Sequence, residues 1–400
     1  MNTCFEKMFI SSTLVSKYGF KALTIRCMFT GQKIVVNNVS SDPVEGVKNL
    51  KIVKQEIRDT DIPDDAVLVK VDSCAVHWVD LLMFAGQYQQ APPLPYTPGM
   101  EYSGTVAFLP KGLDSVLSIG DKVYVGDIVN TGPRSYGEYA AWGGMASYSL
   151  APSFSVRKLP AGLGLGEAAV LNGAYETAYH GLVHCGGLKK GELALIHGAT
   201  GASGLAAVQL ASALGADIII SGGSQAKLDL VEQQCYGTGR VVGKFNYNEE
   251  IRLDKYIKSL GFKGVDLVYD TVGGTQLARD SLKSIRFGGR YCVIGWTSTP
   301  LAGGGRGAGA DHASANMIPT NLIMMKGAQI IGCPVAINTR LDPNIRIPRL
   351  QAIDDWLETG KIKPFISHTF PFNQFREALL AKWERKITGN CIVRCSEKLT

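Results

Sequence analysis

The spacing of apolar positions changes part-way along the chain. From Lys33 to about Val156 the apolar residues stand in short runs or strict alternation, as in Lys33–Val36, Leu50–Val53, Ala66–Val71 and Asp121–Val125, with Gly, Pro and Asp between them. That pattern predicts strands joined by tight turns, and so a β-barrel. From about Leu159 to Ile337, apolar runs at Leu193–Ile196, Ile218–Ile220, Val241–Val242, Val265–Tyr269, Tyr291–Ile294 and Ala328–Ile331 alternate with stretches of helical period. This rhythm predicts a doubly wound parallel sheet with right-handed crossovers, hence an α/β protein. The tail carries helical patterns around Arg349–Thr359 and Phe372–Lys386 and a last strand pattern at Asn390–Arg394, and is expected to rejoin the barrel. The expected division is an extension over residues 1–32, a barrel from residues 33–158 and 339–400, and a sheet domain over 159–338.

The segment from Leu193 to Gly223 carries the clearest chemistry. A short buried strand stops at Gly198-Ala199-Thr200-Gly201-Ala202-Ser203-Gly204, after which Leu205, Val208, Leu210, Ala211 and Leu214 recur at helical spacing. Glycines in such a turn let the backbone approach a pyrophosphate, and the first amides of the helix attract its charge. Gly198, Thr200, Gly201, Ala202, Ser203 and Gly204 are therefore candidate dinucleotide-binding residues. The GxxGxxG spacing is looser than the usual fingerprint, and an ordinary strand-to-helix turn is the competing reading. NAD sites place an acid about twenty residues further on, but here the second strand runs into Ser221-Gly222-Gly223-Ser224-Gln225-Ala226-Lys227 without one. Gly223, Ser224 and Lys227 are candidates for a 2′-phosphate, which predicts NADPH over NADH; the alternative for Lys227 is a lysine solvating the next helix.

Composition narrows the class. The chain has 400 residues, 46% hydrophobic and 19% charged, enough for two ordinary domains. Its formal charge of +6 is spread without a dense basic block, so no nucleic-acid partner is expected. Nine cysteines lack framework spacing and predict reduced thiols. No apolar run is long enough to span a membrane. Lys7, Lys17, Lys21 and Arg26 among serines and threonines, with Glu6 the sole acid, resemble an organelle presequence. Cytoplasm is the default compartment and the mitochondrion the alternative.

The segment AVHWVDLLMFAGQYQQAPPLPYTPGMEYSG, with Asp80, Gly86, Tyr88, Pro98, Gly99, Glu101 and Gly104, resembles the signature of the medium-chain dehydrogenase/reductase superfamily, in its zinc-independent, zeta-crystallin-like quinone oxidoreductase branch. Gly120–Val123, Gly144–Tyr148, Glu167–Ala169, Thr177–Tyr179, Val265–Gly274 and Phe287–Gly295 continue it in family order. The resemblance implies a GroES-like barrel built from both chain ends, a Rossmann-like domain between them, an active-site cleft and a homodimer. It also implies Lys227 and Tyr247 at the adenosine 2′-phosphate, Thr177 along the nicotinamide and Gly295 at the cofactor.

Zinc relatives need three ligands. His77, Met100 and Gly173 stand at those positions, so two ligands are missing and no metal is expected. His180 and His184 have the spacing of a metal pair on a helix but lack a third donor. Without a Lewis acid the expected chemistry is NADPH-dependent hydride transfer to a quinone or an α,β-unsaturated carbonyl compound. Water is one candidate source of the proton; Tyr88, at the GxY position where related enoyl thioester reductases carry a catalytic tyrosine, is a second candidate donor or else a wall residue. His77, where quinone oxidoreductases usually have asparagine, is a candidate acid or a hydrogen-bonding substitute; Asp80 braces the turn or orients His77. Asp127–Trp142 and the glycine-rich Gly303–Gly309 depart from the family pattern and are expected to reshape the pocket; Trp78, Trp142 and Trp296 are candidates for its lining, with ordinary core packing the alternative for each. The alternatives are a mitochondrial-type enoyl thioester reductase and a non-enzymatic, crystallin-like protein binding nucleotide or RNA.

Overall fold

The computed structural model describes residues 28–396 except 89, 91, 114, 115, 136, 250 and 298–316; most of the expected extension and the Gly303–Gly309 loop lie outside the described residues. Strand β1 (Met28–Val35) pairs antiparallel with β2 (Lys51–Arg58). It begins ahead of Lys33 because Phe29 packs its ring on Phe108 and Tyr148, at centroid separations of 6.1 and 5.6 Å. The aromatic contacts extend the strand past the point where alternation is visible.

The first sheet is built on β3 (Ala66–Ala75), β4 (Tyr102–Phe108), β5 (Lys122–Val125), β6 (Tyr148–Pro152) and β7 (Val156–Lys158). These pair antiparallel, with β6 on β3 beside β4. The central six-stranded sheet comprises β8 (Leu193–His197), β9 (Asp217–Gly222), β10 (Val241–Asn246), β11 (Val265–Asp270), β12 (Ile285–Val293) and β13 (Gln329–Gly332). All its pairs are parallel and its order is β10-β9-β8-β11-β12-β13. The order reverses between β8 and β11, and ligands bind such sheets at that switch point, outside the carboxyl ends of the strands. β8 is buried along its whole length, as a strand covered on both faces must be. The tail supplies β14 (Ile366–Pro371) and β15 (Asn390–Arg394), and β15 pairs antiparallel with β3 through Ile392–Ala75 and Val393–Cys74. The C-terminal strand thus lies in the first sheet, beside β3.

One polar cluster ties these parts together. Glu176, fully buried on the helix Asn172–Tyr179, accepts from Arg346 Nη2 at 2.8 Å, Arg346 Nε at 3.0 Å and Arg349 Nη1 at 3.3 Å. Arg346 Nη1 also donates to buried Asp127 at 2.6 Å. Both arginines sit on the helix Arg346–Glu358, so the cluster joins a tail helix, the loop after β5 and the helix that leads into the central sheet. Removing one partner of a buried network strands the others. Arg346→Met is expected to lower stability by about 3–5 kcal/mol, read as a lower midpoint in urea unfolding; an unchanged midpoint would show that the cluster contributes nothing to the fold.

Candidate active-site cleft

The glycine turn after β8 has the geometry that phosphate binding requires. Gly198 adopts φ 66°, and a Cβ there would lie 2.4 Å from Thr271 Oγ1. A Cβ on Gly204 would lie 2.1 Å from the Gly198 carbonyl oxygen, so the third glycine lets the helix ride close onto the end of the strand. The helix Ala202–Leu214 starts at Gly201 with no side-chain cap, which leaves its first-turn amides open to an anion. The turn is stitched to the first sheet's domain by Gly389, whose N–H donates to the Thr200 carbonyl at 2.8 Å.

At the carboxyl end of β9, no acid stands between Ser221 and Lys227. Tyr247, half exposed, packs its phenol over Gly223, where a Cβ would lie 2.5 Å from the hydroxyl. Asn248 Nδ2 donates to the Gly223 carbonyl at 2.8 Å and holds this corner. Ser224 caps the next helix by backbone position alone, without a side-chain bond. Lys227 is committed elsewhere. Its ammonium donates to the carbonyls of Arg385, Lys386 and Ile387 at 2.6, 3.1 and 3.3 Å, and burial lowers its pKa. The lysine is therefore a bridge to the tail of the chain, and a phosphate contact from it requires release of those carbonyls.

Between the two sheets lies a cleft of about 300 Å³. Tyr88, Thr177, Ser203 and Gly295 line it together, with Trp78 and Trp296. Thr177 donates its hydroxyl to the Gly173 carbonyl at 2.6 Å, which fixes its rotamer with the oxygen lone pairs free to accept. Trp78 stacks on Trp383 with ring centroids 5.2 Å apart. Trp142 is elsewhere: it borders a separate surface groove, where Lys33 stands 5.8 Å over its ring, because the strand β1 covers that side.

His77 is not among the residues that line the cleft. It precedes the helix Trp78–Phe84, and its N–H donates to Asp80 at 2.8 Å, so Asp80 caps the turn. Burial pushes the Asp80 carboxyl up, opposed by the nearby His77 and, more weakly, Arg134. The imidazole Nε2 of His77 lies 2.6 Å from Glu101 Oε2, although neither atom gains a well-aligned hydrogen bond, so the contact is chiefly electrostatic. The other carboxylate oxygen of Glu101 accepts from the backbone N–H of Gly173. Glu101, which enters the sequence reading as part of the signature without a role, is thus a residue of the site. A signal was available, since an acid one residue after Met100 in an apolar context needs a buried partner.

A catalytic zinc does not fit these residues. Of the three ligand positions only His77 offers a donor, Met100 is buried without being one, and Gly173 contributes backbone to Glu101. No group of three or more His, Cys, Asp or Glu among the described residues has the arrangement of a metal site. His180 and His184 stack at 4.9 Å, and His180 Nε2 contacts Cys185 Sγ at 3.4 Å and Asn338 Nδ2 at 3.1 Å.

Residues 63–161 match the family described as "Alcohol dehydrogenase GroES-like domain", and residues 202–342 match "Zinc-binding dehydrogenase". The human protein named quinone oxidoreductase is 31% identical over 351 residues, 88% of this chain and 94% of its own length. The chain belongs to the quinone oxidoreductase branch of the medium-chain dehydrogenase/reductase superfamily. Its fold is a GroES-like domain with a Rossmann-like parallel sheet. A mycobacterial protein crystallised with NADPH superimposes at TM-score 0.70, with 22% identity, over 91% of this chain and 99% of that one. A human synaptic vesicle membrane protein VAT-1 homolog-like protein superimposes at 0.68, with 20% identity, over 92% and 99%. At those identities the likeness is one of fold.

Two outcomes follow from this geometry. Gly204→Ala is expected to abolish dinucleotide binding or folding, measured by calorimetry and circular dichroism; a folded variant with undiminished binding would show that the close approach is dispensable. Elemental analysis of the purified protein is expected to find zinc far below stoichiometry, and one tightly held zinc per chain would overturn the reading of His77, Met100 and Gly173.

Proposed function

We propose that the protein reduces quinones or α,β-unsaturated carbonyl compounds with NADPH, without a metal. The observation that carries this reading is the meeting of Tyr88, Thr177, Ser203 and Gly295 on one cleft at the mouth of an uncapped helix. The family and the human relative's name support an oxidoreductase acting on such acceptors. NADPH is favoured by the missing acid after β9, by Tyr247 over Gly223, and by the NADPH carried by the mycobacterial neighbour.

When bound, the dinucleotide supplies a hydride. The open first-turn amides of Ala202–Leu214 would hold its diphosphate, and Thr177 and Gly295, which line the cleft, would hold its nicotinamide end. Trp78 and Trp296 keep water from the acceptor. Tyr88 would either donate its phenolic proton to the developing enolate or hydrogen-bond the enolate oxygen, the latter supplying charge stabilisation of the kind a Lewis-acid metal gives. Apolar residues exposed beside the edge strand β13, including Phe287, Met324 and Met325, support a homodimer through that edge.

Initial rates with NADPH and NADH across quinones, enones and enoyl thioesters test the reading. NADPH is expected to be preferred by at least about tenfold, the worth of one charge-assisted contact, with enones or quinones turned over. Dinucleotide binding without turnover of any acceptor would favour the non-enzymatic class instead. Tyr88→Phe is expected to lower kcat about 100-fold at little-changed KM, and full turnover by that variant would exclude the phenol as donor.

A further inference from the structure

The cleft holds one charged side chain that the hydride-transfer reading leaves without a task. Arg134 lines it and is only 8% exposed. Its backbone is fixed from several sides. Thr131 Oγ1 donates to the Asp127 carbonyl at 2.8 Å and the Met100 carbonyl at 3.3 Å. Ser135 Oγ donates to the Gly132 carbonyl at 2.7 Å, and Gln90 Nε2 donates to the Arg134 carbonyl at 2.5 Å. Asp127, which starts the loop, is itself clamped by Arg346. The loop is therefore preorganised, but the guanidinium at its tip is not satisfied: Nε and Nη2 are buried with no hydrogen-bond partner among the described residues.

The charge of buried Asp80 is close enough to be felt, but among the described residues it gives those two N–H groups no hydrogen bond; idle buried donors are costly, so a guanidinium edge in a ligand cleft is expected to find acceptors in the ligand. Which ligand group follows from which atoms are idle. Nε and Nη2 are the two donors on one edge of the guanidinium, with parallel N–H bonds. A carboxylate presents two acceptors at matching spacing, whereas a lone carbonyl oxygen answers one of them. We propose that Arg134 is a specificity residue that takes the carboxylate of an acidic acceptor, so that the natural substrate is a conjugated carbonyl compound that also carries a carboxylate. The proposal rests on the reductase reading for the word substrate, but not for the binding itself. Trp78 and Trp296 on the same cleft suit the apolar remainder of such a molecule.

The test uses the full-length protein with NADP⁺ bound and 3-benzoylpropionate, a saturated keto acid that cannot be reduced at a double bond, with its methyl ester as control. Calorimetry is expected to show the acid binding and the ester binding about 10–100-fold more weakly. Arg134→Met is expected to remove that difference, and Arg134→Lys to restore only part of it, since an ammonium is a point charge without the parallel pair. In turnover, the same variants are expected to raise KM for 3-benzoylacrylate and leave its methyl ester unchanged. Equal binding of acid and ester by the unmodified protein overturns the proposal, as does an equal loss of both in Arg134→Met, which would make Arg134 a structural partner of Asp80. These outcomes are separate from a failure of the reductase reading, in which the acid binds through Arg134 but neither benzoylacrylate nor its ester is reduced.

Discussion

A carboxylate out of reach of water, Glu176, holds the walls of the cleft in register. Its oxygens are taken by Arg346 and Arg349, and Arg346 carries the link on to Asp127. Each partner brings a different wall. Thr177 follows Glu176 directly on its helix, and Asp127 opens the loop that ends in Arg134. Because these charges are dry, their attraction is screened little by salt, and the cluster orients the cleft more rigidly than exposed ion pairs would. Lys227 with the carbonyls of residues 385–387, and Gly389 with Thr200, hold the nucleotide side in the same way.

Around that frame, Glu101 knits the floor of the cleft by facing His77 with one oxygen and the Gly173 amide with the other. Thr177 is tied in turn to the Gly173 carbonyl, so its hydroxyl is held at the cleft by the same piece of backbone. Under the proposed reaction, a developing oxyanion would be met by hydroxyl and amide donors, whose strength depends on exclusion of water and on fixed orientation.

How much of this is visible in the sequence depends on the range of the interaction. The glycine turn, the run of β8 and the alternation of the central strands are local, and so is the absence of an acid after β9. All of these are legible from spacing alone. The same holds for β15, whose apolar run has no place except in a sheet. Interactions that converge from distant positions are hidden. Arg346 reaches Glu176 across 170 residues, and Lys227 reaches the Arg385 carbonyl across 158. Nothing in the local pattern marks a lysine as bound to carbonyls rather than to phosphate. The face on which Trp142 lies is hidden for a similar reason: its local context does not separate pocket lining from packing, and the course of β1 puts it at another groove.

The central claim is that hydride passes from a phosphorylated dinucleotide to the β-carbon of a conjugated acceptor in a cleft without a metal. Its most direct test is isotopic. With NADPH deuterated at nicotinamide C4 and a simple enone in ordinary water, the account predicts a saturated ketone bearing deuterium at the β-carbon and a solvent proton at the α-carbon. Deuterium at the carbonyl carbon of an allylic alcohol would mean carbonyl reduction, and would contradict the account.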